Sequence, residues 1–392
     1  MRISIFVAML VACAGRPPAS TLPRGPAEAP ARDLAAAKQD APKVEPSASV
    51  LTAKDPRVVD LDIIRITANS HGVGGEPEME HVATADLFKQ ANAAAKAGET
   101  ERAIALYRQI VAEFPDSQYA PVSLFNIAAI LDGRGDLPAT IATLRDLVKA
   151  YPQARESIDG HLYIAALQAD HGQFADAVTT LDEALARTSL TYADRVEAFA
   201  RKGYVLIEIH RFDDADASLA SAVAEWRKAP HIDDPYYIGM AHYYRGELAH
   251  RRFTEAPVRL PDDRMIADLE AKRVLAVAAY DRWKESLGFK QAYWATAAGY
   301  QMSQIFFELW EATVKAPYPA RIDAATRQMY VADVHARVRE HLEKALEGHR
   351  MNVELAKAYG VDTTWSRGSE QRAVQIMEML AKEAAGQYVT PD

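Results

Sequence analysis

The chain has 392 residues, 49% of them hydrophobic and 25% charged, with a formal net charge of −9. That composition can build a sizeable core, but the acidic balance argues against a nucleic-acid partner, because phosphate binding needs a basic face. The single cysteine, Cys13, excludes any disulfide within the chain.

Residues 1–12, MRISIFVAMLVA, begin with one positive residue, Arg2, followed by an apolar stretch. The stretch is too short to cross a bilayer core of about 30 Å as a helix, so it reads as a signal peptide. Leu10-Val11-Ala12-Cys13 resembles a bacterial lipobox. The resemblance implies cleavage before Cys13 and acylation of its thiol and new amino group. Ala14 rather than Asp in the next position implies an outer-membrane address facing the periplasm. Residues 13–57 are rich in Pro and Ala and are expected to form a disordered tether of roughly 35–40 Å root-mean-square reach.

Val58–Thr67, VVDLDIIRIT, is β-branched and reads as an extended segment. It either packs on the first helices or adds to a partner's sheet edge. Ser70–Glu80, with Gly72, Gly74, Gly75 and Pro77, reads as a loop. Residues 58–82 are therefore taken as an extended segment and loop ahead of the first helix.

From residue 83 the pattern becomes helical and repeats. Leu87, Ala91 and Ala94 lie on one face of a first helix, Gly98 breaks it, and Ala103, Tyr107 and Ile110 line a second that Pro115 ends. The same order returns with Leu124, Ala128, Leu131, Gly135, Thr140, Leu144, Leu147 and Pro152. It returns again with Ala165, Gly172, Ala177, Leu181 and Ala184, and with Gly203, Leu206, Ala215, Leu219 and Ala222. Pro115 to Pro152 and Gly135 to Gly172 are both 37 positions (152 − 115; 172 − 135). The small residues let helices approach closely while the large ones fill the space beside them. In the fourth unit His210 stands where the turn glycine would be, which makes that turn less standard. These cassettes resemble tetratricopeptide (TPR) repeats, whose usual period is about 34 residues. The resemblance implies an all-α solenoid of helical hairpins, here over residues 83–250.

Residues 251–386 read as a further helical array with longer units: Asp262 to about Leu287, Gln291–Val314, Ala324–Tyr359 and Trp365–Ala385. Asp262 and Asp263 are N-cap candidates. The aromatic residues Tyr280, Trp283, Tyr293, Trp294, Tyr300, Phe306, Phe307 and Trp310 are read as the interface of two successive helices, with a partner-binding patch as the alternative. The segments AAGYQMSQIFFELWEATVKAP, HLEKALEGHRMNVELAKAYGV and TTWSRGSEQRAVQIMEML are similar to the C-terminal part of TPR lipoproteins of myxobacteria, which include those of the gliding-motility envelope machinery. AEFPDSQYAP and KAYPQA resemble the TPR lipoprotein of the outer-membrane β-barrel assembly machinery, from which the long tail of this chain departs.

No HExxH, P-loop, GxSxG or CxxC motif is present. His335 and His341 are six apart and His341 and His349 eight apart, not the three or four of a helix-borne metal pair. No cofactor, metal, small-molecule substrate or enzymatic activity is expected. The surface that such a stack offers is the groove lined by the first helix of each unit. Its candidate partner-binding residues are Phe88, Asn92, Phe125, Asn126, Tyr204, Tyr243 and Glu247. Some TPR proteins clamp a terminal carboxylate with asparagines and cations. Asn92 and Asn126 match that set, but Phe88, Asp159 and Tyr163 occupy the cationic positions, so no clamp is expected. The expected function is a lipid-anchored periplasmic scaffold of an envelope-spanning complex, with gliding motility the leading process, that binds other envelope proteins through this surface and the membrane through Cys13. The alternative is an accessory lipoprotein of outer-membrane β-barrel assembly or cell-wall maintenance.

Overall fold

A computed structural model of the chain describes residues 64–69, 78–317 and 323–388. The expected signal peptide, Cys13 and the tether lie outside the described residues. β1 (Ile64–Asn69) and β2 (Glu78–Ala83) form an antiparallel pair, with Ile64 opposite Ala83 and Asn69 opposite Glu78. This corrects two expectations. Residues 64–67 of the expected extended segment pair with the chain's own β2 and not with a partner's sheet, while residues 58–63 lie outside the described residues. Residues 78–80, expected in a loop, belong to a strand. The period-two alternation of Glu78-Met79-Glu80-His81 is a strand signal that the neighbouring Gly and Pro residues obscure.

The remaining described elements are helices: α1 (Thr84–Lys96), α2 (Thr100–Glu113), α3 (Tyr119–Gly133), α4 (Leu137–Ala150), α5 (Arg155–Asp170), α6 (Phe174–Leu185), α7 (Tyr192–Glu208), α8 (Phe212–Lys228), α9 (Tyr236–Glu255), α10 (Asp262–Gly288), α11 (Ala292–Val314), α12 (Ala324–Tyr359) and α13 (Thr364–Ala384). The chain divides into two compact units, one ending at Asp194 and the other starting at Arg195. The division falls inside the run of repeats, earlier than the change from short to long helices.

In the first unit the hairpins α1–α2, α3–α4 and α5–α6 stack in order, and the first helices of successive hairpins also touch one another. Leu87, Ala91, Ala94, Ala103, Ile104, Tyr107 and Ile110 form one core cluster, and Ala128, Leu144, Leu147, Ile164 and Leu167 form the next. The residues that repeat in sequence are thus the buried ones, since helical spacing puts them on one face. Each hairpin turns through a left-handed glycine: Gly98 at φ 76°, Gly135 at 77° and Gly172 at 72°. The residue after each glycine donates its N–H back across the turn, Glu99 to Ala94 at 2.9 Å, Asp136 to Leu131 at 3.0 Å and Gln173 to Gln168 at 2.8 Å. These bonds satisfy carbonyls that the helix end leaves open.

The second unit repeats that turn without glycine. His210 takes φ 60°, and Arg211 donates to Leu206 at 2.9 Å. The expected less standard turn is therefore the same turn built on a residue that strains it. Leu219 packs so closely on Gly203 that a Cβ there would lie 2.4 Å from its side chain. The long helices begin and end within a residue of the expected positions. Asp262 and Asp263 are not caps, because Pro261 occupies that position, and they lie in the first turn of α10 as charges favourable to the helix dipole.

The aromatic cluster is core, and it extends beyond two helices. Trp283 fits over Gly246 of α9, where a Cβ would lie 2.3 Å from its ring. Trp294 lies 5.2 Å from the Tyr243 ring and 5.8 Å from that of Tyr244. Trp310 joins Val338 and Leu342 of α12. Polar bonds fasten the tail. Asn352 donates to the Thr296 carbonyl at 3.0 Å and to Ser369 at 2.9 Å, and Thr363 and Ser366 form a capping box at the start of α13.

Candidate partner-docking surface

The first unit carries an aromatic and amide strip along α1, α3 and α5. Phe88 of α1 is half-buried, with its ring 4.9 Å from Tyr119 and 5.9 Å from Tyr107. The Tyr107 hydroxyl donates to Asn92 Oδ1 at 2.6 Å and accepts from Asn126 Nδ2 at 3.2 Å. One phenol from α2 thereby holds an amide of α1 and an amide of α3. Phe125 of α3 has its ring 5.9 Å from Tyr163 of α5, and the Tyr163 hydroxyl donates to the Asp132 carboxylate. Burial pushes both phenols above their ordinary pKa, and Asp132 raises Tyr163 further. Both remain protonated donors at neutral pH.

The strip combines π faces, amides still able to form further hydrogen bonds, and acidic side chains. Such a surface suits a peptide more than a reaction: aromatics supply contact area at small entropic cost, and fixed amides read main-chain groups. The two asparagines serve the Tyr107 hydroxyl, which accounts for them without a carboxylate clamp. Asp159, in one of the clamp's cationic positions, is paired with Arg155 at 2.8 Å.

The structure brings together Phe88, Asn92, Phe125 and Asn126, which the sequence singles out. It places the other three candidates differently, in the second unit. Tyr204 and Tyr243 are core residues, 1% and 3% exposed, which corrects their assignment to a partner-facing groove. The Tyr204 ring packs 5.1 Å from Tyr244, and the Tyr243 hydroxyl accepts from Gln301 at 3.1 Å. Glu247 is half-buried and accepts from the same Gln301 amide. Neighbouring helices cover both tyrosine rings, α9 through Tyr244 over Tyr204, and α11 and α13 through Trp294 and Trp365 over Tyr243. Residue-by-residue reading missed Tyr119 and Asp132. Tyr119 opens α3 within the DSQYAP segment, where an aromatic shortly after a proline-ended helix is the available signal.

Among the described residues no group of three or more His, Cys, Asp or Glu side chains could hold a metal ion. No described helix is long and apolar enough to cross a membrane.

Residues 77–232 match the model of the tetratricopeptide repeat-like domain. The match covers α1–α8 and β2, and it agrees with the hairpin geometry: the fold is a TPR-like solenoid with longer C-terminal helices. A TPR-like fold suggests a protein-interaction scaffold. No curated protein sequence matches the chain. Among solved structures, the chain is similar to the C-terminal part of a TPR repeat-containing protein from Cytophaga hutchinsonii, at 12% identity and TM-score 0.40, over 77% of this chain and 100% of that one. A TPR protein from Parabacteroides merdae matches at 11% identity and TM-score 0.36, over 75% and 98%. MamA from Desulfovibrio magneticus RS-1 matches at 14% identity and TM-score 0.33, over 50% and 94%.

Proposed function

We propose that this chain is a docking scaffold of the bacterial envelope. Its aromatic and amide strip on α1, α3 and α5 receives a peptide segment of a partner protein, and an acylated Cys13 holds it at the outer membrane on the periplasmic side. The observation that carries the docking reading is the shared Tyr107 hydroxyl, which fixes Asn92 and Asn126 side by side between the aromatic pairs Phe88–Tyr119 and Phe125–Tyr163. Preorganised amides lose less entropy on binding than free ones. The lipobox-like LVAC and the Pro/Ala-rich stretch support the anchor. The similarity of the C-terminal segments to myxobacterial TPR lipoproteins supports a place in an envelope-spanning complex, with gliding motility as the leading process. The AEFPDSQYAP and KAYPQA segments favour a second reading, an accessory of outer-membrane β-barrel assembly or of cell-wall maintenance.

The test is photocrosslinking in the cell from a reactive amino acid placed at Phe125. Envelope proteins should be captured there, and capture should fall when Phe88 and Tyr163 are both changed to Ala. Equal capture from the doubly changed protein would sink the strip as the docking site. Cys13→Ser should move the chain out of the membrane fraction; retention there would refute the lipid anchor. Loss of motility at unchanged β-barrel levels on depletion supports the first reading, and the reverse supports the second.

A further inference from the structure

α5 carries a second polar row on the side away from Tyr163. At 3.6 residues per turn, His161 and Gln168 lie within about 20° of each other and roughly half a turn from Asp159, Tyr163 and Asp170. They form, with Thr180 of α6, the floor of a cleft of about 280 Å³ between α4 and α6, with Arg145, Asp176 and Glu183 at its rim. The three floor residues are 5%, 3% and 8% exposed.

The hydrogen bonds of the floor decide what it can bind. His161 Nδ1 lies 2.8 Å from the Ser157 carbonyl. A carbonyl only accepts, so the proton sits on Nδ1 and Nε2 is left as an acceptor. Burial holds the ring below its ordinary pKa, which keeps it neutral at neutral pH. Thr180 donates to Gln168 Oε1 at 2.8 Å, leaving the Gln168 amide nitrogen with its donors. Neither His161 Nε2 nor Gln168 Nε2 has a protein partner among the described residues, and neither is sealed from the cleft. Both atoms therefore meet the water of the cleft, and a ligand that replaces that water can bond to them without displacing a protein partner.

The acceptor and the donor stand seven residues apart on α5, about 10 Å along the helix axis. In an extended strand the N–H of one residue and the carbonyl two residues on lie on the same edge, about 9 Å apart. A strand entering edge-on would thus donate to His161 and accept from Gln168. Its central side chain would point at one wall and its flanking side chains at the other. The α6 wall carries Asp176 and Glu183, which form no ion pair among the described residues and call for a cation. We propose that this cleft is a second docking site, for an extended partner segment with a lysine or arginine at its central residue, held by main-chain bonds to His161 and Gln168. The site lies on the opposite face of α5 from the aromatic strip and does not depend on it.

The full chain, labelled with ¹⁵N at histidine, is titrated with acetyl-Ala-Lys-Ala-amide and followed at the His161 Nε2 resonance. A saturable shift is expected. Affinity should fall about threefold to tenfold when the first Ala is replaced by sarcosine, which has no N–H to donate, and similarly in Gln168→Met. Acetyl-Ala-Glu-Ala-amide should bind more weakly still. Absence of a saturable shift overturns the proposal, as does equal binding of the sarcosine peptide. Equal binding of lysine amide alone also overturns it, because the cleft would then read a cation and no main chain. If Gln168→Met fails to fold, the sarcosine peptide on the unchanged protein decides.

Discussion

His210 shows how a single residue can hold a fold position that its chemistry resists. It takes the left-handed turn conformation used by Gly98, Gly135 and Gly172, and a side chain there costs about 1–2 kcal/mol because Cβ crowds the backbone. The ring recovers a little by lying 5.6 Å from Phe212. His210→Gly should therefore stabilise the second unit by about 1 kcal/mol, seen as a higher urea midpoint; a lower midpoint would mean that the ring contact outweighs the strain. Tyr107 is the opposite case, a residue whose polar atom serves two helices. Tyr107→Phe keeps the packing but strips Asn92 and Asn126 of their shared partner, so it should cost about 1 kcal/mol. It should also weaken peptide capture at the strip. Unchanged capture would show that the amides need no fixing.

At the scale of elements, helix contacts are set by where glycine lets a large side chain approach. Gly246 of α9 makes room for the Trp283 ring of α10, and a helix interior cannot shift easily to admit a methyl group. Gly246→Ala should cost about 1–3 kcal/mol by overpacking, measured by thermal unfolding. A neutral result would mean that Trp283 has another rotamer at little cost. Helix phase, by contrast, needs no partner to be read. The residues of the repeating cassette recur because 3.6 residues per turn places them on one face, and nearly all of them are buried. Strand pairing is of the other kind. β1 finds β2 across residues 70–77, and no local pattern states which segment a β-branched run will choose.

For the whole molecule, the second unit carries histidines that burial keeps neutral. His349, fully buried, is pushed down to about 3 by burial and by the nearby Arg372 charge. His341 is pushed down to about 4 by burial and then by Lys344. In the unfolded chain both titrate near about 6.5, so on acidification the unfolded state takes up protons first. Their contribution to stability is complete above about pH 6.5 and is lost as pH falls toward the folded values, by about 1.4 kcal/mol per pH unit for each histidine. Unfolding midpoints should drop between pH 7 and pH 5, and His349→Gln should flatten that drop. An unchanged slope in the variant would assign the acid sensitivity elsewhere.

What the sequence determined by itself is the set of features that arise within one helix or one turn. These are the hairpin units, their 37-residue recurrence, the glycine turns and the bounds of the long C-terminal helices, because periodicity and chain breakers act over a few residues. Only the tertiary structure decided that Phe88, Asn92, Phe125 and Asn126 form one surface while Tyr204 and Tyr243 are core. It likewise decided that one hydroxyl joins two asparagines and that His161 and Gln168 face an open cleft. A side chain's exposure depends on what other helices lay over it, and those contacts join residues too far apart in the chain for any local pattern to specify.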